Sequence, residues 1–523
     1  MSFSSFEFIA FTTAAVVLFY VLRPRLRWGA LLVASAIFYA SFKAPYLLAA
    51  LAFVILTTYA FGLWIHQSAE KRRKRLFVAG VALNLAVLIG FRFFPLAYQG
   101  LVDALKLANP ALSAGPMPAL LALGVSFYVF QAISYLADIF LERIEPESHL
   151  GRFAVFMSFY PKLLQGPIER AENLLPQLAL AQPFSYVNAR DGLRRFAWGF
   201  FKKVVVADRL ALLVFPIFDQ TQQYSGLALI LGIYAYALQL YFDFSGYTDM
   251  ALGIAKLFNL RLAENFNRPY LARTIGEFWK RWHISFSSWI LDYIFKPLQI
   301  SWRRRGRWGV AAALMVTFLL SGLWHGASWG FLAWGFLHGL YMALETVYLP
   351  LRRKLYRKLR IENSPVARAW QVFLTFNLVS FAWIFFRANN ISDALYYVTH
   401  LFSGVEIISC AGTVFKYLVY LPITQGTLHP GGTLVALKQT CAKSLENLPA
   451  MPGSFSSENL VVLLASLALL AIAGFAGKRV DIGRWNPVFR WLGYLVFSLW
   501  VLFAMVILEL PNQAYQEFLY FRF

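Results

Sequence analysis

LLSGLWHGASWGFLAWGFLHGLY, Leu319–Tyr341, is apolar and aromatic almost throughout. It is long enough to cross a bilayer, which takes about 20 residues. It carries two histidines, His325 and His338. A histidine at membrane depth is costly unless it has a partner or a task. Gly326 and Gly330 stand beside the first, and glycine lets another chain or a ligand approach the backbone closely. On one continuous helix the offset between the histidines turns His338 by about 220° onto a different face. His325 therefore reads as the chemical residue and His338 as a structural one.

The rest of the chain agrees with a membrane setting. Its 523 residues are 59% hydrophobic, 18% aromatic and only 14% charged, where a soluble protein carries about 25% charged residues. The fold class expected is an all-α polytopic membrane protein. A net charge of +22 would suggest nucleic acid in a soluble chain. Here the bases fall in short clusters between apolar runs, as the positive-inside rule requires, and no basic face lies outside them. Those clusters suit anionic lipid headgroups. Cys410 and Cys441 are the two cysteines, with no CxxC or Cys/His grouping, which argues against a metal site. They share one segment expected outside, where a disulfide forms if their Cα atoms come within about 7 Å. The first residues lack the basic start and cleavage site of a signal peptide and read as a first span.

Apolar runs of about 17–25 residues mark about twelve spans: 5–22, 28–42, 45–65, 76–97, 118–141, 196–216, 227–247, 308–323, 327–348, 369–387, 459–476 and 491–511. Such runs are too long for transmembrane strands. With both termini outside, the basic clusters Lys71–Arg75, Arg303–Arg307, Arg352–Arg360 and Lys478–Arg490 all fall on the cytoplasmic side. Residues 142–203 and 248–307 are too polar for plain spans and too apolar for free loops. Re-entrant or in-plane helices fit them, since irregular backbone at membrane depth must be buried in protein or line a wet cavity. The chain reads as one integral domain, 1–523, with its motifs in 124–388 and a variable external segment at 388–458. The absence of a recognisable internal repeat counts against inverted-repeat transporter folds.

Polar residues concentrate in Tyr241–Arg307. YFDFSGYTDM (Tyr241–Met250) holds Asp243 and Asp249, ENFNRPY (Glu264–Tyr270) follows, and EFWKRWHISFSSWILDYIF (Glu277–Phe295) holds Glu277, Lys280, Arg281, His283 and Asp292. On a helix Lys280 and Arg281 can pair with Glu277. The plain alternative for His283 is a ring bonded to a backbone carbonyl or to Asp292. For His325 it is a packed ring that pins two helices together. No serine nucleophile elbow, HExxH or phosphate-binding glycine loop is present. What remains is a buried neutral histidine that accepts a proton from a hydroxyl or thiol.

WHG at Trp324–Gly326, preceded by this polar block, resembles the membrane-bound O-acyltransferase family. Within it, the motifs above are similar to the bacterial branch that acetylates alginate or transfers D-alanine to teichoic acids. So are GVSFYVFQAISYLADIF (Gly124–Phe140), FYPKLLQGPIER (Phe159–Arg170), FAWIFFRA (Phe381–Ala388) and the terminal FLYFRF. The resemblance implies a ring of tilted helices around a thin centre with a central tunnel. It implies that His325 is the general base and that His283 orients the reactants or shares the proton. Asp292, Arg281 and Asp243 then support the site electrostatically, Trp324 stands beside the base, and Trp279, Trp282, Trp324 and Trp329 line the passage. It further implies acetyl-coenzyme A as cytoplasmic donor, no resident cofactor or metal, and a bacterial inner membrane. A periplasmic serine-hydrolase-like acetyltransferase would be the partner, and an exported polysaccharide such as alginate the final acceptor. D-alanyl transfer to a teichoic acid-type polymer and transport without covalent change are the alternatives.

Overall fold

The computed structural model describes residues 1–108, 122–361 and 364–403, and all regular structure among them is helical. The first group is α1 (Phe6–Val21), α2 (Arg27–Ala40), α3 (Pro45–Gln67), α4 (Glu70–Ala108) and α5 (Val125–Phe140). Short pieces follow: α6 (Leu150–Ser158), α7 (Tyr160–Leu163) and α8 (Ala171–Ala179). α9 (Tyr186–Phe201) passes through a π turn at Lys202–Ala207 into α10 (Asp208–Asp219), and α11 (Leu227–Leu257) returns beside it. α12 (Ile275–Trp279), α13 (Ile284–Ile290) and α14 (Lys296–Ser301) are again short. α15 (Gly306–His325), α16 (Trp329–Lys358), α17 (Pro365–Arg387) and α18 (Ile391–His400) close the described part. Starts follow capping chemistry: Ser5 accepts from the Phe8 amide, and prolines open α3 and α17, where no amide hydrogen is needed.

Among the described residues, five helical stretches are long and apolar enough to cross a membrane: Pro45–Gln67, Glu70–Phe93, Leu227–Leu257, Arg303–His325 and Pro365–Arg387. Phe6–Val21 and Val125–Phe140 are apolar but shorter. Several expected boundaries shift. The run at 28–42 yields a 14-residue helix, about 21 Å long, against a hydrocarbon layer of about 30 Å. The bases at Lys71–Arg75 lie in the opening turns of α4, and α16 continues helical through Arg352–Lys358; neither cluster sits in a loop. Residues 118–121, the runs at 459–476 and 491–511, most of 388–458, Cys410 and Cys441 lie outside the described residues.

YFDFSGYTDM is also helical, inside the 31-residue α11, ten residues beyond the expected end of that span. The helix survives its acids because α9 and the π turn supply cations. Lys203 Nζ donates to Asp243 at 2.6 Å and pairs with Asp208 at 2.9 Å. Arg195 and Lys202 hold Asp249 at 2.9 and 2.6 Å. Buried charge is tolerated where it is paired.

Two apolar cores form among the described residues. One gathers α1–α3, α5–α8, the C-terminal half of α11 and α13. The other gathers α10, the N-terminal half of α11, α12, α17 and α18, together with Phe318 and Trp334. α11 threads both, with the change at about Phe242–Tyr247. His283 and His325 meet at that junction, with Trp279 and Trp282.

Candidate active site

α15 and α16 form a tight antiparallel hairpin, not one helix. A Cβ at Gly322 would lie 2.3 Å from the Phe331 carbonyl oxygen, and one at Gly335 would lie 2.5 Å from that of Phe318. The chain turns at Gly326, where a Cβ would meet the Phe331 ring at 2.6 Å and Arg92 Nη2 at 3.0 Å. Ser328 then caps α16. The break overturns the angular argument for the two histidines. They sit on different helices and meet the same indole: Trp334 lies 5.1 Å from the His325 ring and 5.0 Å from the His338 ring. His338 is fully buried, and Trp279 Nε1 donates to its Nδ1 at 3.3 Å.

His325 ends α15, buried among Trp324, Phe331, Trp334 and Phe386. His283 arrives from a different kind of structure. It precedes α13 in a left-handed conformation, φ 44° and ψ 54°, which costs a non-glycine residue about 1–3 kcal/mol and persists where surroundings over-determine it. They do. The ENFNRPY loop is tied to this turn by Ile284 N–H to Asn265 O and Asn267 N–H to Arg281 O, both 2.9 Å. FYPKLLQGPIER backs it: the Ala263 amide donates to Glu169 at 2.8 Å, and the Ile168 amide donates to Ser285 Oγ at 3.0 Å.

His283 and His325 line one cavity, with Trp279 and Trp282 and with Leu240, Phe244, Phe286, Trp334, Trp383 and Phe386. Its volume is ≈ 20 Å³, room for about one water. Two buried imidazoles with aromatic walls form a water-poor site suited to proton transfer from a hydroxyl or thiol. Burial there strengthens every electrostatic interaction with a reacting group.

Five expected neighbours stand elsewhere or only beside the cavity. Asp292 pairs with Arg170 (3.1 Å) and Lys296 (2.8 Å), not with His283. Nine residues of helix carry it about half a turn round and about 13 Å along. Arg281 pairs with Glu277 four residues earlier, the plain alternative. Asp243 faces Lys203, while Leu240 and Phe244 on the same helix face the cavity. Trp329 is 73% exposed at the first turn of α16, where the restart of the helix points it outward. Trp324 stacks on Phe286 at 4.3 Å behind the cavity wall. The wall residues Trp383 and Phe386 come from FAWIFFRA, and Trp334 from the opening stretch. Those motifs were legible, but which of their rings face inward was not. Asn265 carried no signal beyond its motif.

The sequence of residues 35–386 matches the membrane-bound O-acyltransferase family. The chain is 34% identical to the "probable alginate O-acetylase AlgI" of Azotobacter vinelandii, over the whole of both chains. It is 34% identical to a peptidoglycan O-acetyltransferase of Helicobacter pylori, over 70% of this chain and 72% of that one. A teichoic acid D-alanyltransferase of Streptococcus thermophilus is 28% identical, over 50% of this chain and 68% of its own. With the WHG turn, the paired histidines and a match across most of its length, the chain belongs to the membrane-bound O-acyltransferase family and is an integral membrane O-acyltransferase.

Proposed function

We propose that the protein is a polysaccharide O-acetyltransferase of a bacterial inner membrane, passing acetyl from cytoplasmic acetyl-coenzyme A to an acceptor outside. The observation that supports this is the pairing of His283 and His325, from separate motifs, on one buried aromatic cavity. His325 takes the proton from the acceptor hydroxyl as its oxygen attacks the thioester carbonyl. The carbon–sulfur bond breaks, and the departing thiolate recovers the proton. His283 orients the reactants or shares that proton. The first acceptor is a serine of a periplasmic serine-hydrolase-like partner, and the last an exported polysaccharide such as alginate. The full chain is one integral domain of about twelve spans, with short helices re-entering around a central tunnel and both termini periplasmic. A cavity of ≈ 20 Å³ admits an acetyl thioester only when wall rings such as Trp282 or Phe386 turn aside.

Purified protein in proteoliposomes, given labelled acetyl-coenzyme A on the cytoplasmic face, should label a hydroxyl acceptor on the other. Label arriving only from a D-alanyl carrier protein would replace acetyl with D-alanine. Polymer crossing without thioester cleavage would make the chain a transporter. Reporters in Lys71–Arg75 and Arg352–Arg360 should read cytoplasmic, and one in 400–458 periplasmic; a periplasmic signal from either basic cluster would overturn the topology.

A further inference from the structure

The two ring nitrogens of His283 stand in different surroundings. Nδ1 faces Asn265 Oδ1 at 3.4 Å, whereas Nε2, on the opposite edge of the ring, is buried with no hydrogen-bond partner among the described residues. Which atom of the Asn265 amide faces the ring is decided by a group that has no choice. The Ser285 backbone N–H donates to that atom at 3.2 Å, so the atom is oxygen. Ser285 Oγ reaches the same oxygen at 2.6 Å and accepts from the Ile168 amide at 3.0 Å, which leaves its one proton for Asn265. A carbonyl oxygen can only accept, so the contact with His283 places the proton on Nδ1. A neutral imidazole holds one such proton, and Nε2 is then a lone pair. The arrangement is rigid: Asn265 is fully buried, and its own carbonyl is bonded to the Ile284 amide.

We propose that Asn265, braced by Ser285, is a positioning residue that holds His283 in the Nδ1–H tautomer and so presents its Nε2 as a second proton acceptor beside His325. This rests on the acyl-transfer reading of His283. It assigns a task to the ENFNRPY and FYPKLLQGPIER motifs, which reach the cavity through this one ring.

The first test needs no activity. Full-length protein labelled with ¹⁵N-histidine, in lipid at neutral pH, should show His283 as the Nδ1–H tautomer, its signal assigned by its loss in His283→Asn. His338 supplies an internal contrast, because its Nδ1 accepts from Trp279 and its proton belongs on Nε2. An Nε2–H signal from His283 would overturn the proposal, and this holds even if the Asn265 variants fail to insert. In transfer assays Asn265→Leu should lower kcat about 10- to 100-fold, with KM for acetyl-coenzyme A within about twofold, and Asn265→Asp, which keeps the oxygen, should recover most of the loss. In a His283→Ala background Asn265→Leu should cost nothing further. An equal cost in both backgrounds would make Asn265 a general stabiliser of the loop and end its role through His283. If His283→Ala transfers acetyl at the parental rate, the part given to His283 in the reaction falls, while the spectrum still reports its tautomer.

Discussion

His325 ends a helix of 20 residues and lies among the rings of Trp334, Phe331 and Phe386. His283 opens a helix of 7 residues, and both the backbone on either side of it and its ring are tied to a loop that begins about twenty residues upstream. The two histidines face one cavity from opposite cores, held by different forces. Ring packing is non-directional and sets where an imidazole lies. Hydrogen bonds are directional and also set which nitrogen carries the proton. The first wall should tolerate change of chemistry at constant shape, and the second should tolerate change of shape only if its oxygen acceptor is kept.

Substitutions that remove one wall's contribution at a time sharpen this contrast. His325→Ala carries the largest expected effect, a fall in acetyl transfer of about 10²–10⁴-fold at matched membrane levels, since the proposed general base is lost. Normal transfer from that variant would break the assignment. On the other wall, His283→Ala should lose about 10²-fold, and His283→Asn should keep about a tenth of the parental rate because an amide still offers a hydrogen bond. Equal rates for the two variants would show that hydrogen bonding at this position does nothing.

Asp243→Ala tests a residue that lies between the cavity-lining Leu240 and Phe244 in sequence but faces away from the cavity. It strips one of the two carboxylate partners from the buried Lys203 and leaves Asp208, so it should lower thermal stability by at most the equivalent of about 3–5 kcal/mol. The loss should appear in the unfolding midpoint of detergent-solubilised protein and in yield. A stable but inactive variant would return Asp243 to the site. Gly326→Ala presses a methyl into Phe331 and Arg92 and should cost about 1–3 kcal/mol. Its transfer rate should fall more than its KM rises, because the turn carries His325. The smallest effects belong to Trp329→Ala and Asp292→Asn, each expected within about twofold of the parental rate, since neither side chain lines the cavity.

The membrane class and most helices were legible in the sequence because apolar runs and basic clusters are local signals, written in consecutive residues. His325 and His283 were legible for a related reason: an imidazole in an aromatic, apolar run needs an explanation that its neighbours do not. The supporting carboxylates were misplaced because charge near a motif in sequence says little about which face it occupies. Asp292 lies only nine residues from His283 and serves Arg170 instead. The restart of the helix after Gly326 was legible as the gap between the spans 308–323 and 327–348, but its consequence was not: it sent Trp329 outward and brought His338 back to Trp334.

By itself, then, the sequence determined an α-helical membrane chain, its family resemblance and the two histidines, since hydropathy, motif and residue chemistry need no partner to be read. Only the tertiary structure decided that these histidines share a cavity, that α11 joins two cores, and that Asn265 and Ser285 stand behind His283. Those are contacts between residues tens to hundreds of positions apart, and they exist only once burial has forced each polar group to find its partner.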